Sequence, residues 1–164
     1  MKKRLVSILE YFEVEEDGTK FLHDFLRGHL YLEYILNVLI EKAIKSKHKN
    51  EFDTFYKKVC VLKDNKIIDD NMGKLLIAIN KIRNKLAHQI DFKITFKMMF
   101  DLAVLSINAG VEYSDDGIFL NREYSEKSYG IEGIVYELFY NTFCQLLFDN
   151  EKYFIDNEIL NYMS

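Results

Sequence analysis

The sequence predicts an all-α protein, an up-and-down helical bundle of about five helices, on three observations. There is no proline in 164 residues, so the commonest helix breaker is missing. Only seven glycines are present, which leaves Asn and Asp to supply most of the punctuation. Apolar residues recur at intervals of three and four through most of the chain, the spacing that places side chains on one face of a helix.

The first strong element runs from residue 19 or 20 to about residue 46. Leu22, Phe25, Leu32, Ile35, Leu36, Leu39 and Ala43 share one of its faces, while Leu30, Tyr31, Tyr34 and Val38 lie off that face. A helix apolar around most of its girth is buried on two sides, here by a core contact and a subunit contact. Asn50 and Asp53 supply an N-cap and a first-turn acid for a shorter helix from Phe52 to about Leu62. A third helix follows Asp69 and Asp70. Its stripe Met72, Leu75, Ile79, Ile82 and Leu86 is the cleanest in the chain. A fourth spans Phe96 to Ile107, and a last one spans about Ile131 to Phe148, rich in Tyr136, Phe139, Tyr140, Phe143 and Leu147. These aromatic and methionine stripes read as packed core. Near 111–121, Asp115-Asp116-Gly117 followed by Ile118-Phe119-Leu120 predicts a short β-hairpin or a structured loop. Residues 121–128 are polar and read as exposed, and the stretch after Asn150 as a short helix or tail.

No break in composition divides the chain, so residues 1–164 read as one domain, with a core at about 19–108 and the C-terminal helix at about 131–148. A chain of this length buries roughly two thirds of its unfolded surface, enough to hold a core without disulfides or a structural metal. Cys60 and Cys144 are too few and too far apart for a disulfide framework or a zinc finger. The basic start Lys2-Lys3-Arg4 is followed by an apolar run that Glu10 interrupts too soon for a secretory signal. Glu33, Asp101 and Glu137 break every longer apolar stretch, which predicts a cytoplasmic protein with no membrane partner. With 22 Lys and Arg against 26 Asp and Glu, the net charge of -4 excludes a surface built wholly for nucleic acid. Even so, Lys74, Lys81, Arg83 and Lys85 place four cations along the third helix.

Most catalytic constellations are absent: there is no glycine-rich phosphate loop, no paired-cysteine motif and no glycine-flanked serine. Nothing calls for a metal or a cofactor. His48 reads as a solvated loop residue and His23 and His29 as satisfied residues of the first helix. That leaves His88, which closes Arg83-Asn84-Lys85-Leu86-Ala87-His88 at the end of the third helix. Asn84 and His88 are neighbours on its outer face, and Ile77 shares that side as an exposed apolar residue. A face of that kind meets a second copy or a substrate. The plainer alternative is that His88 is a helix C-terminal cation, with Arg83 solvated and Asn84 incidental.

The segment RNKLAH, with an Arg, a polar residue and a His in that order at a helix end, resembles the hallmark of the HEPN superfamily. The likeness extends upstream through RGHLYLEYILNVLIEKAI at Arg27 to Ile44 and FYKKVCVLKDNKII at Phe55 to Ile68, in a layout similar to the mannitol-operon repressor branch. It covers about Phe21 to His88. The resemblance implies a HEPN-like bundle and metal-independent cleavage of RNA by its own 2′-hydroxyl, leaving a 2′,3′-cyclic phosphate. Arg83, Asn84 and His88 are then the catalytic residues. A histidine moves the protons, an arginine holds the phosphate through paired hydrogen bonds, and Asn84 orients His88 or a phosphate oxygen. Lys85 and Lys81 would bind the substrate, and Glu33 is the candidate supporting acid.

Residues five apart on a helix diverge by about 140°, so one chain does not converge both Arg83 and His88 on one phosphate. The resemblance implies a homodimer that sets two motifs side by side. It also implies RNA, tRNA included, as substrate, and an antitoxin or regulatory protein as a further partner, as in toxin or phage-defence systems. Two departures matter. Ile90 stands where toxins paired with nucleotidyltransferases carry a modified tyrosine, so that control route is not implied. The mannitol-repressor branch acts through regulation or binding, so the alternative is a non-catalytic HEPN-type regulatory binding module.

Overall fold

The computed structural model describes residues 20–45 and 52–154, and among these every regular element is helical. Helix α1 covers Lys20–Leu39 and runs on through a π-type turn, Ile40–Ile44, that Lys45 ends in a left-handed conformation at φ 53°. The cap expected at Asn50 lies outside the described residues. Helix α2 starts later than the sequence predicts, at Phe55–Asp64, because Thr54 is its N-cap, with Oγ1 accepting from the Lys57 N–H at 3.2 Å. Asp53 stays outside the helix and binds Lys57 Nζ at 2.8 Å.

Helix α3, Asp70–His88, opens as expected on Asp69, whose carboxylate accepts from the Met72 N–H at 2.7 Å. Helix α4, Phe96–Asn108, is capped by Thr95.

Residues 111–121 form no strand. Asp115 Oδ1 accepts from the Gly117 N–H at 2.8 Å, and the carbonyls of Asp115 and Asp116 accept from Ile118, Phe119 and Leu120, giving a single helical turn, α5, at Gly117–Leu120. These local bonds leave no row of groups for a strand partner, and Ile118 is buried at 1% exposure. The last helix also begins earlier than predicted. Helix α6 is Arg122–Asp149, capped by Asn121 through the Tyr124 N–H at 2.9 Å and broken at Gly130, whose φ of 59° and ψ of -174° lie outside helical space. Its first turns look polar in sequence because only Ser125 is buried there, with its hydroxyl donating to the Ile118 carbonyl.

Helices α1, α3, α4 and α6 close a ring in which each packs on the next, α2 covers the edge between α1 and α3, and α5 fills the corner beside α4 and α6. The core runs through Phe25, Leu32, Leu36, Leu75, Ile79, Met99, Leu138 and Leu146. The expected stripe of α1 faces this core, and Val38 joins it at 9% exposure. Leu30, Tyr31 and Tyr34, at 60%, 49% and 50%, form the open side of the same helix. At the C-terminal end a 3-10 turn, Glu151–Tyr153, brings Phe154 fully into the core.

Candidate functional site

Arg83, Asn84, Lys85 and His88 occupy the last two turns of α3. That position follows from the helix itself. Asp69 fixes its start, the buried Met72, Leu75, Leu76 and Ile79 seat its inner side, and the Gln89 N–H closes its end on the Lys85 carbonyl at 2.9 Å. Lys85 and His88 sit where the helix dipole favours cations. After the helix, the Lys85 ammonium lies 5.7 Å from the centre of the Phe92 ring.

The motif divides between two sides of the helix. At about 100° per residue, Lys74, Lys81, Lys85 and His88 fall within about 60° of one another, and all four are exposed. Asn84, also exposed, borders this row. Lys81 and Lys85 form no ion pair among the described residues. Ile77 is half-buried and packs on the core, so it is not the exposed apolar residue that periodicity predicts. Arg83 turns to the other side, about 140° from His88. It is half-buried, with Nη1 donating to Asn84 Oδ1 at 3.3 Å, and its charge acts on His29 of α1.

Around His29 lies a polar cluster that sequence reasoning missed. The ring is buried at 3% exposure at the junction of α1, α2 and α3. Its Nε2 bonds Asn80 Oδ1 of α3 at 3.0 Å, and its face lies on Phe55 of α2 with centroids 4.5 Å apart. Nδ1 has no hydrogen-bond partner, so the residue is only half satisfied. One turn along α1, Glu33 accepts from Lys58 Nζ of α2 at 2.6 Å, with the lysine almost wholly buried. Burial, with Arg83 and Lys58 adding to it, holds the His29 imidazole below its ordinary pKa of 6.5 against the pull of Asn80 and Glu33. Glu33 therefore belongs with His29, Lys58 and Arg83 and is engaged by a lysine.

A signal for this cluster existed in the sequence. His29 falls in the series Phe25, His29, Leu32, Leu36, and Lys58 sits among Phe55, Val59 and Leu62, both at core spacing. By contrast His23 is exposed, 3.8 Å from Asp24, and His48 lies outside the described residues.

One cleft lies between the α2–α3 turn and the end of α6, and an aromatic groove lies between α1 and α6. Neither is lined by Arg83, Asn84 or His88. Among the described residues no three His, Cys, Asp or Glu side chains gather as metal ligands, and no helix is long and apolar enough to cross a membrane. Compared with models of known protein families, with curated proteins and with solved structures, the chain matches none.

Proposed function

We propose that the chain is a HEPN-type endoribonuclease that cuts RNA as a homodimer, in a toxin or defence role. The observation that carries this reading is an arginine, an asparagine and a histidine on the last two turns of one helix of an all-α bundle, beside an exposed row of lysines. Arg83 and His88 diverge on the helix. A second copy brings the Arg83 of one protomer toward the His88 of the other.

In the cleft so formed, the RNA 2′-oxygen attacks the adjacent phosphorus as the bond to the 5′-oxygen breaks. One His88 takes the 2′-hydroxyl proton, and the His88 of the other protomer delivers a proton to the leaving 5′-oxygen. The products are a 2′,3′-cyclic phosphate and a 5′-hydroxyl end. Arg83 neutralises the equatorial phosphate oxygens, Asn84 orients the arginine it already contacts, and Lys81 and Lys85 hold flanking phosphates. Glu33 supports the site from α1, where it holds Lys58 and, with Arg83, acts on His29.

The test is incubation of the purified protein with total RNA in EDTA, beside His88→Ala. Cleavage to cyclic-phosphate ends by the wild type, reduced about 10²- to 10⁴-fold in the variant, supports the proposal. Intact RNA in both, with no slowing of growth on expression, would sink it and leave the regulatory binding module.

A further inference from the structure

The charged groups that face the His29 ring are Glu33 from its own helix, Lys58 from α2 and Arg83 from α3, two cations against one carboxylate. With Asn80 Oδ1 accepting at 3.0 Å, Nε2 carries the proton of the neutral ring, and Nδ1 presents a bare lone pair to a buried space without a donor. A proton added at Nδ1 creates a buried N–H with no acceptor and sets a third cation beside Lys58 and Arg83. The face of Phe55 attracts an imidazolium but gives Nδ1 no acceptor.

We propose that the α1–α2–α3 junction is an acid-sensitive latch, in which protonation of His29 loosens α2, with Phe55 and Lys58, from α1 and α3. Helix α2 is the element that yields because its packing partners are α1 and α3 and two of its contacts with α1, Phe55 on His29 and Lys58 on Glu33, lie in this cluster. The latch shares Arg83 and Glu33 with the proposed site, but it is read from folding stability and amide exchange and not from RNA cleavage, so its failure and that of the nuclease reading are told apart.

Burial and the two cations keep His29 neutral in the fold below the pH at which it is half protonated in the unfolded chain. The unfolded chain then binds the proton first. Stability is full above about pH 6.5 and is lost as pH falls below that value, by up to about tenfold in the folding constant per pH unit. Asp53, Asp70 and Asp115 have their carboxyls held below the usual value, so their titration falls in a more acid range.

The experiment is urea unfolding followed by circular dichroism between pH 7.5 and 5, on the wild type, His29→Gln and Lys58→Met. An NMR titration of the wild-type imidazoles and amide exchange along α2 accompany it. Glutamine keeps a donor toward Asn80 without titrating, so its folding constant stays flat where the wild type falls. Lys58→Met removes one cation and frees Glu33 to pair with the imidazolium, so its acid loss is smaller. Protection factors of the α2 amides drop on acidification before those of α4 and α6. An equal acid loss in His29→Gln, or α2 protection that follows α4 and α6, overturns the proposal. Should His29→Gln fail to fold, the wild type decides: a His29 midpoint at or above 6.5, or α2 protection that follows α4 and α6, refutes the latch, and a midpoint below 6.5 with α2 opening first upholds it.

Discussion

Gly28→Ala tests how α1 is held on α6. A Cβ built at Gly28 meets three ring atoms of Phe139 at 2.5, 2.5 and 2.8 Å, about 1 Å inside ordinary contact between carbons. The ring has little room to retreat, since it stands edge-on to the fully buried Phe25 at 5.2 Å and lies 6.0 Å from Phe143. Either Phe139 leaves its rotamer or the helices part, and overpacking of this kind costs about 1–3 kcal/mol. Alanine in a helix interior recovers about 1 kcal/mol over glycine, so the net loss is about 0–2 kcal/mol. For a chain of this size that lowers Tm by up to about 8 °C in a calorimetric scan. The cause is isolated by repeating the substitution in a Phe139→Leu background, where the clash is relieved and the loss should vanish. A rise in Tm for Gly28→Ala, or an equal loss in both backgrounds, would refute the reasoning.

Four further outcomes are expected. Gly73→Ala should leave Tm unchanged or slightly raised, because its new Cβ meets only the flexible Lys63 side chain, whose surface ion pair with Asp70 contributes little. Gly130→Ala should lose about 1–3 kcal/mol in urea unfolding although nothing lies within 4 Å of its Cβ, since φ 59° with ψ -174° suits glycine alone. Tyr113, pushed up to about 12 chiefly by burial, keeps its proton in the fold after the unfolded chain has lost it at about 10. Stability therefore falls as pH rises from 10 toward 12, and Tyr113→Phe should remove that part of the fall in alkaline unfolding curves. If RNA follows the exposed lysine row, Lys81→Ala and Lys85→Ala should each weaken binding and reduce the salt dependence of log K by about 0.7, measured by fluorescence anisotropy on single-stranded RNA.

The fold class was legible because a helix is a local object. The absence of proline and the stripe from Met72 to Leu86 place α3 to within a few residues, and Asp69 marks its start. The errors fall where local signals compete. Asp115-Asp116-Gly117 satisfies hairpin chemistry as well as the Asx turn it adopts, and the choice is made by burial of Ile118 and by the bond from Ser125 seven residues on. Residues 122–129 carry too few apolar side chains to show a period, although Asn121 caps a helix there.

By itself, then, the sequence determined an all-helical chain with Arg83, Asn84 and His88 at the end of one helix, and helical rotation alone puts Lys81 and Lys85 on the same side as His88. Only the tertiary structure decided that Arg83 is half-buried with its charge acting on His29, that Glu33 is taken by Lys58, and that the His29 ring is buried with one nitrogen unsatisfied. The reason is distance along the chain. Periodicity records which side of a helix is apolar, whereas the environment of His29 is made by Phe55, Lys58 and Asn80, of which the last lies 51 residues away. A polar residue on an apolar stripe tells nothing of its partners until the helices carrying them are packed together.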